Sequence, residues 1–386
     1  MHTDVIVVGA GLVGSALVAG LGRIGLQVAW VGATEPPQPA PAWDPRIYAL
    51  SPGSVALLAR VGAWQRVAPD RTQPVLRMDV RGDRAPGRIA FDSLEVGEAA
   101  LATIVENGRV ARALWDAVQD DGFVALCTAS RPARMVIRRD MVEMVLDDGT
   151  ALTAALVVGA DGRNSWVRQA AGIGVRRRDY SQHAVVANFR CAEPHRGTAR
   201  QWFRRDGVLA LLPLPDDHVS MVWSAQESVA LELMAAEPDA LSARVTEAAG
   251  LDPAALTTVT PAADFELRAM AASKLVAPRL ALVGDAAHNV HPLAGQGVNL
   301  GFRDVRELID VLGARGAEPD AGSLSLLRRY ERARREDQAV TLAVTDGLQR
   351  LFAARLPGVS WIRNVGMALS DRNAGLKQRL MRHALG

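Results

Sequence analysis

The sequence predicts an α/β protein with an α+β insert and a helical C-terminal tail. Three segments read as a short apolar strand, a glycine-rich turn and a helix, at residues 5–24, 155–168 and 280–301. This repeated strand–turn–helix pattern is typical of a parallel sheet with crossover helices. Alternating apolar and polar residues at 75–99 and 183–224 indicate antiparallel strands of a second layer.

Composition excludes several classes of protein. The 386 residues suit two domains, and 49% hydrophobic with 22% charged residues is ordinary for a globular protein. A net charge of +2 gives no reason to expect a nucleic-acid partner. The two cysteines, Cys127 and Cys191, have no metal-ligand spacing, so we predict reduced thiols, no metal site and a cytoplasmic protein. The sequence also predicts neither a signal peptide nor a membrane span.

The first unit carries the glycine pattern of a Rossmann-like dinucleotide site. Gly9, Gly11 and Gly14 follow a β-branched strand and open a helix. In such a site the first glycine allows the tight turn, the second lets a pyrophosphate approach the backbone, and the third lets the helix pack on the strand. Because a strand precedes the pattern and a helix follows it, we predict a pyrophosphate site here.

One part of that pattern is missing. An Asp or Glu is expected at the end of the second strand, where it binds the adenosine ribose. Here the strand ends at Val31 and Gly32, and the nearest acid is Glu35. Either Glu35 reaches back to the ribose, or the ribose is held in another way.

The third unit has the most specific pattern. Its strand ends at Gly284 and Asp285, and a helix is predicted to begin near Gly295 or Gly297. A carboxylate can bind a ribose hydroxyl, and the N-terminus of a helix attracts negative charge. The second unit repeats the arrangement at Asp161 and Gly162, which favours one shared nucleotide site over unrelated turns.

Five residues of the antiparallel region are candidates for a substrate pocket. They are large or rigid apolar side chains on predicted strands: Trp202, Phe203, Leu211, Pro213 and Trp223. They would form the pocket floor if these strands cover the cofactor. Aromatic side chains on strands also pack inside cores, and that alternative stays open.

The three motifs, in this order, resemble those of the FAD-dependent aromatic hydroxylases related to p-hydroxybenzoate hydroxylase. Gly9, Gly11 and Gly14 resemble the family's pyrophosphate site. The run 159–162 resembles its DG motif, which helps to bind FAD and NAD(P)H. Residues 284–292 resemble its GD motif, whose Asp binds the FAD ribityl chain or a ribose.

Further segments resemble one branch, the ubiquinone-biosynthesis hydroxylases. They cover nearly the whole chain: 44–46, 49–51, 105–107, 284–288, 291–301 and parts of 346–377. Gly32 is the departure, since the branch usually carries an acid there. The resemblance implies that Arg46 lies near the flavin and Asn107 near the ribityl or adenosine portion of FAD.

The resemblance implies a monooxygenase that hydroxylates a polyprenylated phenol with NAD(P)H and O₂, through a flavin hydroperoxide. Its cofactor-binding residues would be Gly9, Gly11, Gly14, Arg46, Asn107, Asp161, Gly162, Gly284, Asp285, Gly295, Gly297, Val298 and Asn299. The residues around the reacting flavin ring would be His291, Pro292, Gly295 and Gln296. A helix N-terminus there would stabilise a reduced, anionic flavin. Two alternatives remain, which are a monooxygenase of another small aromatic substrate and a non-catalytic flavoprotein scaffold.

The predicted organisation is discontinuous. Residues 1–74, 100–175 and 265–345 form the FAD-binding domain, residues 75–99 and 176–264 form a mixed antiparallel-sheet substrate domain, and residues 346–386 form the helical C-terminal tail. Because the tail mixes apolar and basic residues, it suits either a peripheral contact with the inner face of a membrane, a contact with a biosynthetic complex, or packing on the domain. The sequence leaves a homo-oligomer open.

Overall fold

The structure is a computed structural model. It describes residues 1–83, 86–120, 122–204, 206–289, 296–316 and 320–353, together with residues 364, 367, 371, 373, 375, 377, 378 and 381 of the C-terminal tail.

The strands of the described residues, in chain order, are β1 (His2–Val8), β2 (Val28–Ala33), β3 (Ile47–Leu50), β4 (Gln73–Val75), β5 (Arg77–Arg81), β6 (Arg88–Asp92), β7 (Ala102–Glu106), β8 (Val124–Thr128), β9 (Pro132–Ile137), β10 (Val142–Leu146), β11 (Ala151–Gly159), β12 (Val175–Cys191), β13 (Thr198–Arg204), β14 (Gly207–Leu214), β15 (His218–Gln226), β16 (Leu256–Thr258), β17 (Ala263–Ala272), β18 (Val276–Ala277), β19 (Leu280–Leu282) and β20 (His288–Asn289). The α-helices are α1 (Leu12–Arg23), α2 (Pro52–Arg60), α3 (Asn107–Gln119), α4 (Trp166–Ala170), α5 (Glu227–Ala235), α6 (Pro238–Ala249), α7 (Gln296–Gly313) and α8 (Leu324–Ala353).

The first sheet has a parallel centre. Strands β8, β2, β1, β11 and β19 lie side by side and run parallel, while β18, β10 and β9 are antiparallel additions. Val5, Ile6 and Val7 of β1 are fully buried. Continuous β-branched runs suit such strands because helices cover a parallel sheet on both faces. Together with the second sheet, this confirms the predicted α/β class with its α+β insert.

The second sheet is mainly antiparallel and forms the other layer. Its strand order is β20-β17-β12-β15-β14-β13-β5-β6, with β16 paired to β12. Strand β13 runs parallel to β5, and the other neighbours in this order are antiparallel. A small sheet of β3, β7 and β4 stands beside these two.

Strand β17 crosses one of the predicted domain boundaries. The predicted boundary after residue 264 falls inside β17, which pairs with β12 of the second sheet along most of its length. The whole of β17 therefore belongs to the second sheet. The sequence conceals this because the strand continues without a turn signal into the segment that leads to β19.

The described residues of the C-terminal tail pack on the β5–β6 hairpin. The side chain of Asn364 donates to Asp83 (2.8 Å), and Asp371 accepts the backbone N–H of Ala90 (3.0 Å). Lys377 binds Glu95 at 3.0 Å. Among the described residues, no helix combines the length and the apolar character that a membrane crossing requires.

Candidate active site

A cavity of about 900 Å³ lies where the two sheets meet. This volume falls within the range of small-molecule sites. One wall contains residues from all three glycine-rich motifs: Gly11, Gly162, Asp285 and Gly297. The opposite wall is the inner face of the second sheet. The sheet interface therefore brings the predicted nucleotide motifs to one continuous space.

The three glycines of the first motif have two different roles. Gly9 and Gly14 allow close packing, and Gly11 leaves the backbone accessible from the cavity. Gly9 has φ +117°, and a Cβ there would overlap the carbonyl oxygen of Ala160. A Cβ at Gly14 would overlap the carbonyl oxygen of Gly9. Gly11 differs, because it lines the cavity and a Cβ would meet no atom of the described chain within 4 Å. Gly11 thus keeps the backbone open to a bound group at the start of α1.

The second motif holds a buried acceptor without a partner. Asp161 Oδ2 accepts the backbone N–H groups of Trp166 (2.7 Å) and Val167 (3.1 Å) at the start of α4. Its Oδ1 is buried and accepts no hydrogen bond from the described residues. Gly162 follows with φ +77° and lines the cavity. Buried carboxylate oxygens are normally paired, so this atom is available to a ligand donor.

The fully buried carboxylate of Asp304 holds the third motif in place. Asp304 Oδ2 accepts the backbone N–H of Gly284 at 3.0 Å and bonds His288 Nε2 at 2.5 Å, while Oδ1 accepts Arg334 Nε at 2.7 Å. Burial alone would raise the pKa of Asp304, but the charges and hydrogen bonds of His288 and Arg334 outweigh it and lower the pKa. Gly284, at φ +58°, is therefore anchored to α7 and α8.

Asp285, the next residue, is exposed toward the cavity. Its Oδ2 accepts the side-chain amide of Asn289 at 3.0 Å, and both residues line the cavity. Gly284 itself faces Val13 of α1, where a Cβ would approach within 3.0 Å. Gly284 therefore serves packing against α1, whereas Asp285 faces the open space.

Helix α7 begins at Gln296, and its first turn reaches the cavity through Gly297 and Val298. Asn299 also lines the cavity, but its buried amide connects α7 to β3 and to the start of α2. Its Oδ1 accepts Ser51 N (2.9 Å) and Ser54 Oγ (2.7 Å), and its Nδ2 donates to Ala49 O (2.9 Å). The predicted residues His291, Pro292 and Gly295 lie outside the described residues, as does the side chain of Gln296.

Arg46 and Asn107 meet at the cavity wall. The backbone N–H of Asn107 donates to Arg46 O at 2.9 Å, and both residues line the cavity. The Arg46 guanidinium lies 5.6 Å from the ring centroid of Tyr48 and 5.7 Å from that of Phe265. Burial is the main cause of the raised pKa of Tyr48. Tyr48 is a cavity residue that the sequence does not predict, since it lies between the segments 44–46 and 49–51 that carry the resemblance.

Glu106 holds this wall in place. Its carboxylate binds Arg71 (2.8 Å) and Arg109 (2.6 Å) and accepts the backbone N–H of Asp44 (2.9 Å). Burial alone would raise the pKa of Glu106, but the hydrogen bonds from these three groups lower it below its usual range. Glu35, the first acid after β2, binds Arg112 of α3 at 2.6 Å.

The five predicted pocket residues do not line the cavity. Trp202, Leu211 and Trp223 belong to a core that the second sheet forms with α5 and α6. Pro213 shares the strand face of Leu211 because side chains alternate along a strand. Phe203 points to the cavity side but packs in a small cluster with Val80 and Ile89. The core alternative therefore describes Trp202, Phe203, Leu211 and Trp223.

Their sequence neighbours form the cavity floor instead. The floor residues of the inner strands are mostly small and alternate with the core residues: Ala184, Val186, Ala199, Gln201, Val208, Ala210, Leu212, Val222 and Ser224. These residues could not be predicted from the sequence, because alternation separates the two faces of a strand but does not show which face covers the cavity.

Comparison with known proteins agrees with this geometry. A family model described as "FAD binding domain" matches residues 2–344. The chain is 37% identical to the 3-demethoxyubiquinol 3-hydroxylase of Escherichia coli, over 100% of this chain and 98% of that protein. It is 36% identical to the ubiquinone hydroxylase UbiL of Rhodospirillum rubrum, over 99% of this chain and 89% of that protein.

The chain belongs to the ubiquinone-biosynthesis branch of the FAD-dependent hydroxylases. The predicted family, the FAD cofactor and the monooxygenase class are thereby confirmed. A crystal structure of HpxO from Klebsiella pneumoniae, complexed with FAD and uric acid, has the same fold, with a TM-score of 0.74 at 20% identity and coverage of 98% of this chain and 97% of that one.

The described residues fit FAD. Gly11 leaves the space beside the backbone that a pyrophosphate needs, and Asp161 Oδ1 offers an unpaired acceptor to a hydroxyl donor. Asp285 and Asn289 offer a carboxylate and an amide to a polyol chain on the same cavity. We expect these residues to hold the cofactor, with Gly297 at the start of α7 facing its ring.

Proposed function

We propose that this FAD-dependent monooxygenase hydroxylates the aromatic ring of a polyprenylated phenol, a ubiquinone precursor, with NAD(P)H and O₂ as cosubstrates. Bound FAD would supply the chemistry, by taking two electrons from NAD(P)H and activating O₂ for transfer of one oxygen atom to the ring. The protein binds and orients the two partners and excludes water from the space between them.

The single observation that carries this proposal is the contrast between a long, mostly apolar cavity floor and the polar groups at the cofactor motifs. Seven neighbouring strands contribute to it, from β17 to β6. Six spacings of about 4.8 Å make the floor roughly 29 Å wide. On the cavity face β17 carries Phe265 and Leu267, and β5 and β6 carry Met78 and Phe91, whereas the polar groups Arg46, Asp285 and Asn289 lie at the cofactor motifs. A ligand with a polar head and a long apolar chain fits such a floor.

The polar end adjoins the cofactor motifs. Strand β20 pairs with β17, so Asn289 of the third motif lies beside the β17 end of the floor. Arg46 and Phe265 close the same end from two sides. A ring whose reacting carbon faces the cofactor would therefore point its prenyl chain away from β17 and toward β6.

The apolar end is completed by the C-terminal tail. Val75, Met78, Phe91 and Leu101 line it together with Met381, which is 5% exposed. Burying a prenyl chain there is favourable at roughly 25 cal/mol per Å² of apolar surface. We further propose that this tail, residues 346–386, makes a peripheral contact with a membrane or a biosynthetic complex, since such a substrate is delivered from a bilayer.

The test is direct turnover. We expect the purified protein with FAD, NADPH or NADH and O₂ to convert a phenol bearing a farnesyl chain into a product heavier by one oxygen atom, measured by mass spectrometry. Oxidation of NAD(P)H without an oxygenated product would contradict the proposal. Equal turnover of the unsubstituted phenol would favour another small aromatic substrate. In the source organism, deletion of the gene should accumulate a prenylated phenol that lacks one hydroxyl group.

An FAD-binding variant tests the cofactor assignment. Asp285→Ala is expected to lose bound FAD and remain folded, because Asp285 is exposed and its only hydrogen bond among the described residues is with Asn289. The matched control is Asp252→Ala, which removes an exposed carboxylate remote from the cavity lining. Flavin absorbance per protein, together with circular dichroism, measures both. Stoichiometric flavin in Asp285→Ala would remove this residue from the site.

A further inference from the structure

Asn188 of β12 connects the second sheet to the loop that precedes β3. Its side chain is fully buried, and its Nδ2 donates to the backbone carbonyl of Asp44 at 3.2 Å. A carbonyl oxygen can only accept, so this contact requires the NH₂ end of the amide to face Asp44. The other end, Oδ1, is buried and has no hydrogen-bond partner among the described residues. The amide therefore joins two layers of the protein while one of its own acceptors stays unsatisfied.

The unsatisfied acceptor of Asn188 is unfavourable for stability. A buried carbonyl oxygen has lost its water and gains no donor in return. The neighbouring strand does not supply one, because Ser220 of β15 is the register partner of Asn188 and its hydroxyl is also buried without a partner in the described chain. A leucine of similar size would fill this space without a polar atom. The asparagine therefore indicates a role in function and not in stability.

The carbonyl that Asn188 contacts belongs to a residue that organises the cavity wall. Asp44 Oδ1 accepts the backbone N–H of Arg46 at 2.8 Å, and Asp44 Oδ2 accepts that of Gly108 in the first turn of α3 at 3.0 Å. Arg46 O in turn accepts the backbone N–H of Asn107 at 2.9 Å. Asp44 therefore fixes Arg46 relative to the start of α3, and Arg46 and Asn107 both line the cavity.

The connection from Asn188 to Arg46 is stiff at both ends. The Asp44 carbonyl belongs to the peptide that joins Asp44 to Pro45, and the proline ring restricts the backbone of both residues. A displacement of this peptide therefore moves Arg46. At the other end, the backbone N–H of Asn188 donates to Thr260 Oγ1 at 2.9 Å, and its carbonyl accepts the N–H of Thr260 at 3.3 Å.

We propose that Asn188 is a positioning residue for FAD. Through the Asp44 carbonyl it holds Arg46 in the orientation that binds the negative charge of the cofactor, which in oxidised FAD lies on the diphosphate. A guanidinium suits a phosphate because it presents several N–H donors in one plane. The second sheet thereby contributes to cofactor binding through a side chain outside the cavity lining. The inference goes beyond the proposed function, since it does not depend on which ring is hydroxylated.

The test is a double-mutant cycle on FAD affinity. Each holoenzyme is diluted, and the flavin fluorescence that appears as FAD dissociates gives the dissociation constant. Asn188→Leu removes the donor together with the unsatisfied acceptor, and we expect FAD affinity to fall about fivefold. Arg46→Met should weaken FAD binding by itself. In the Arg46→Met background, Asn188→Leu should cause no further loss, because both residues then act through one contact.

Ser220→Ala is the matched control. Ser220 is fully buried beside Asn188 and lacks a partner in the described chain, so it has no bond to Asp44. It should keep full FAD affinity. At saturating FAD, the urea midpoint of Asn188→Leu should fall no further than its weaker FAD binding accounts for. If Asn188→Leu does not fold, the same cycle is carried out with Asn188→Ala, which removes the amide without adding bulk.

Unchanged FAD affinity in a folded Asn188 variant overturns the inference. Additive losses in the double variant overturn it as well, since Asn188 would then act independently of Arg46. An equal loss in Ser220→Ala also overturns it, because the packing of the two strands, and not the bond to Asp44, would then determine FAD affinity. All of these measurements are made without substrate, so a failure to hydroxylate farnesylphenol overturns the proposed function alone.

Discussion

The carboxylate of Asp304 on α7 accepts the backbone N–H of Gly284, which precedes the cofactor-facing Asp285. The two residues are 20 positions apart in the chain, and both are buried. The same carboxylate binds Arg334 of α8 and His288 of β20. One fully buried group therefore joins two helices to the turn that presents Asp285.

Asp304→Asn is expected to lower the free energy of unfolding by about 3 kcal/mol, because it removes the fully buried one of the two carboxylates, Asp304 and Asp337, that bind the buried Arg334 cation. Bound FAD should be lost at lower denaturant than in the unsubstituted protein, since the turn is no longer anchored. Urea unfolding followed by far-UV circular dichroism and by flavin fluorescence measures both effects. Asp310→Asn on the same helix is the control, as its pair with Arg60 is about half exposed and should contribute under about 1 kcal/mol. Equal stability of the two variants would contradict the anchoring role.

Gly11→Ala should separate cofactor binding from folding. A Cβ at Gly11 meets no atom of the described chain, so the thermal midpoint should stay nearly unchanged, while FAD affinity should fall at least about tenfold because the methyl group occupies the approach to the backbone. Gly122→Ala, also without neighbours and away from the cavity, is the matched control. Gly14→Ala should instead lower both stability and FAD binding, because its Cβ overlaps the Gly9 carbonyl. Unaltered FAD affinity in Gly11→Ala would argue against a pyrophosphate at this turn.

Glu106→Gln should make the free energy of unfolding depend less on pH in the acidic range. The pKa of Glu106 is lower in the folded protein than in the unfolded chain, where a glutamate has a pKa of about 4.3. The stabilisation is therefore fully present above about pH 4.3 and is lost as the pH falls through the folded pKa. Glu106→Gln should cost about 2 kcal/mol at pH 7 and flatten the curve of unfolding free energy against pH below pH 5. Glu143→Gln, in an exposed pair with Arg138, is the comparison and should leave stability at pH 7 unchanged. The same pH slope for Glu106→Gln and the unsubstituted protein would show that Glu106 does not contribute to acid unfolding.

Met78→Trp should change chain-length selectivity. The larger side chain fills the apolar end of the floor, so kcat/KM for farnesylphenol should fall about tenfold, whereas that for an unsubstituted phenol should change little. Leu126→Trp enlarges a partly exposed residue of β8 outside the cavity lining and serves as the control. If both phenols lose activity equally in Met78→Trp, the apolar end is not where the prenyl chain binds.

Much of the nucleotide site could be predicted from local patterns. Gly9, Gly11 and Gly14 are constrained by one turn, and Asp285 follows directly from its strand. The role of Asp304 could not be predicted, because its partners come from three other segments of the chain. The floor of the cavity could not be predicted either. Both faces of β13 carry buried residues, so Trp202 and Gln201 look equally suited to either side until the packing of α5 and α6 is known.

The alternation along β13 has a consequence for how this enzyme can diverge. Trp202 and Gln201 are adjacent in sequence, yet one side chain sustains the helix-backed core and the other meets the ligand space. Point mutations at the odd-numbered positions 199 and 201 can therefore alter which ring is accepted while the even-numbered neighbour keeps the layer folded. Natural selection, or a mutational library restricted to the odd-numbered positions, could therefore produce new substrate specificities without lowering the thermal midpoint of unfolding.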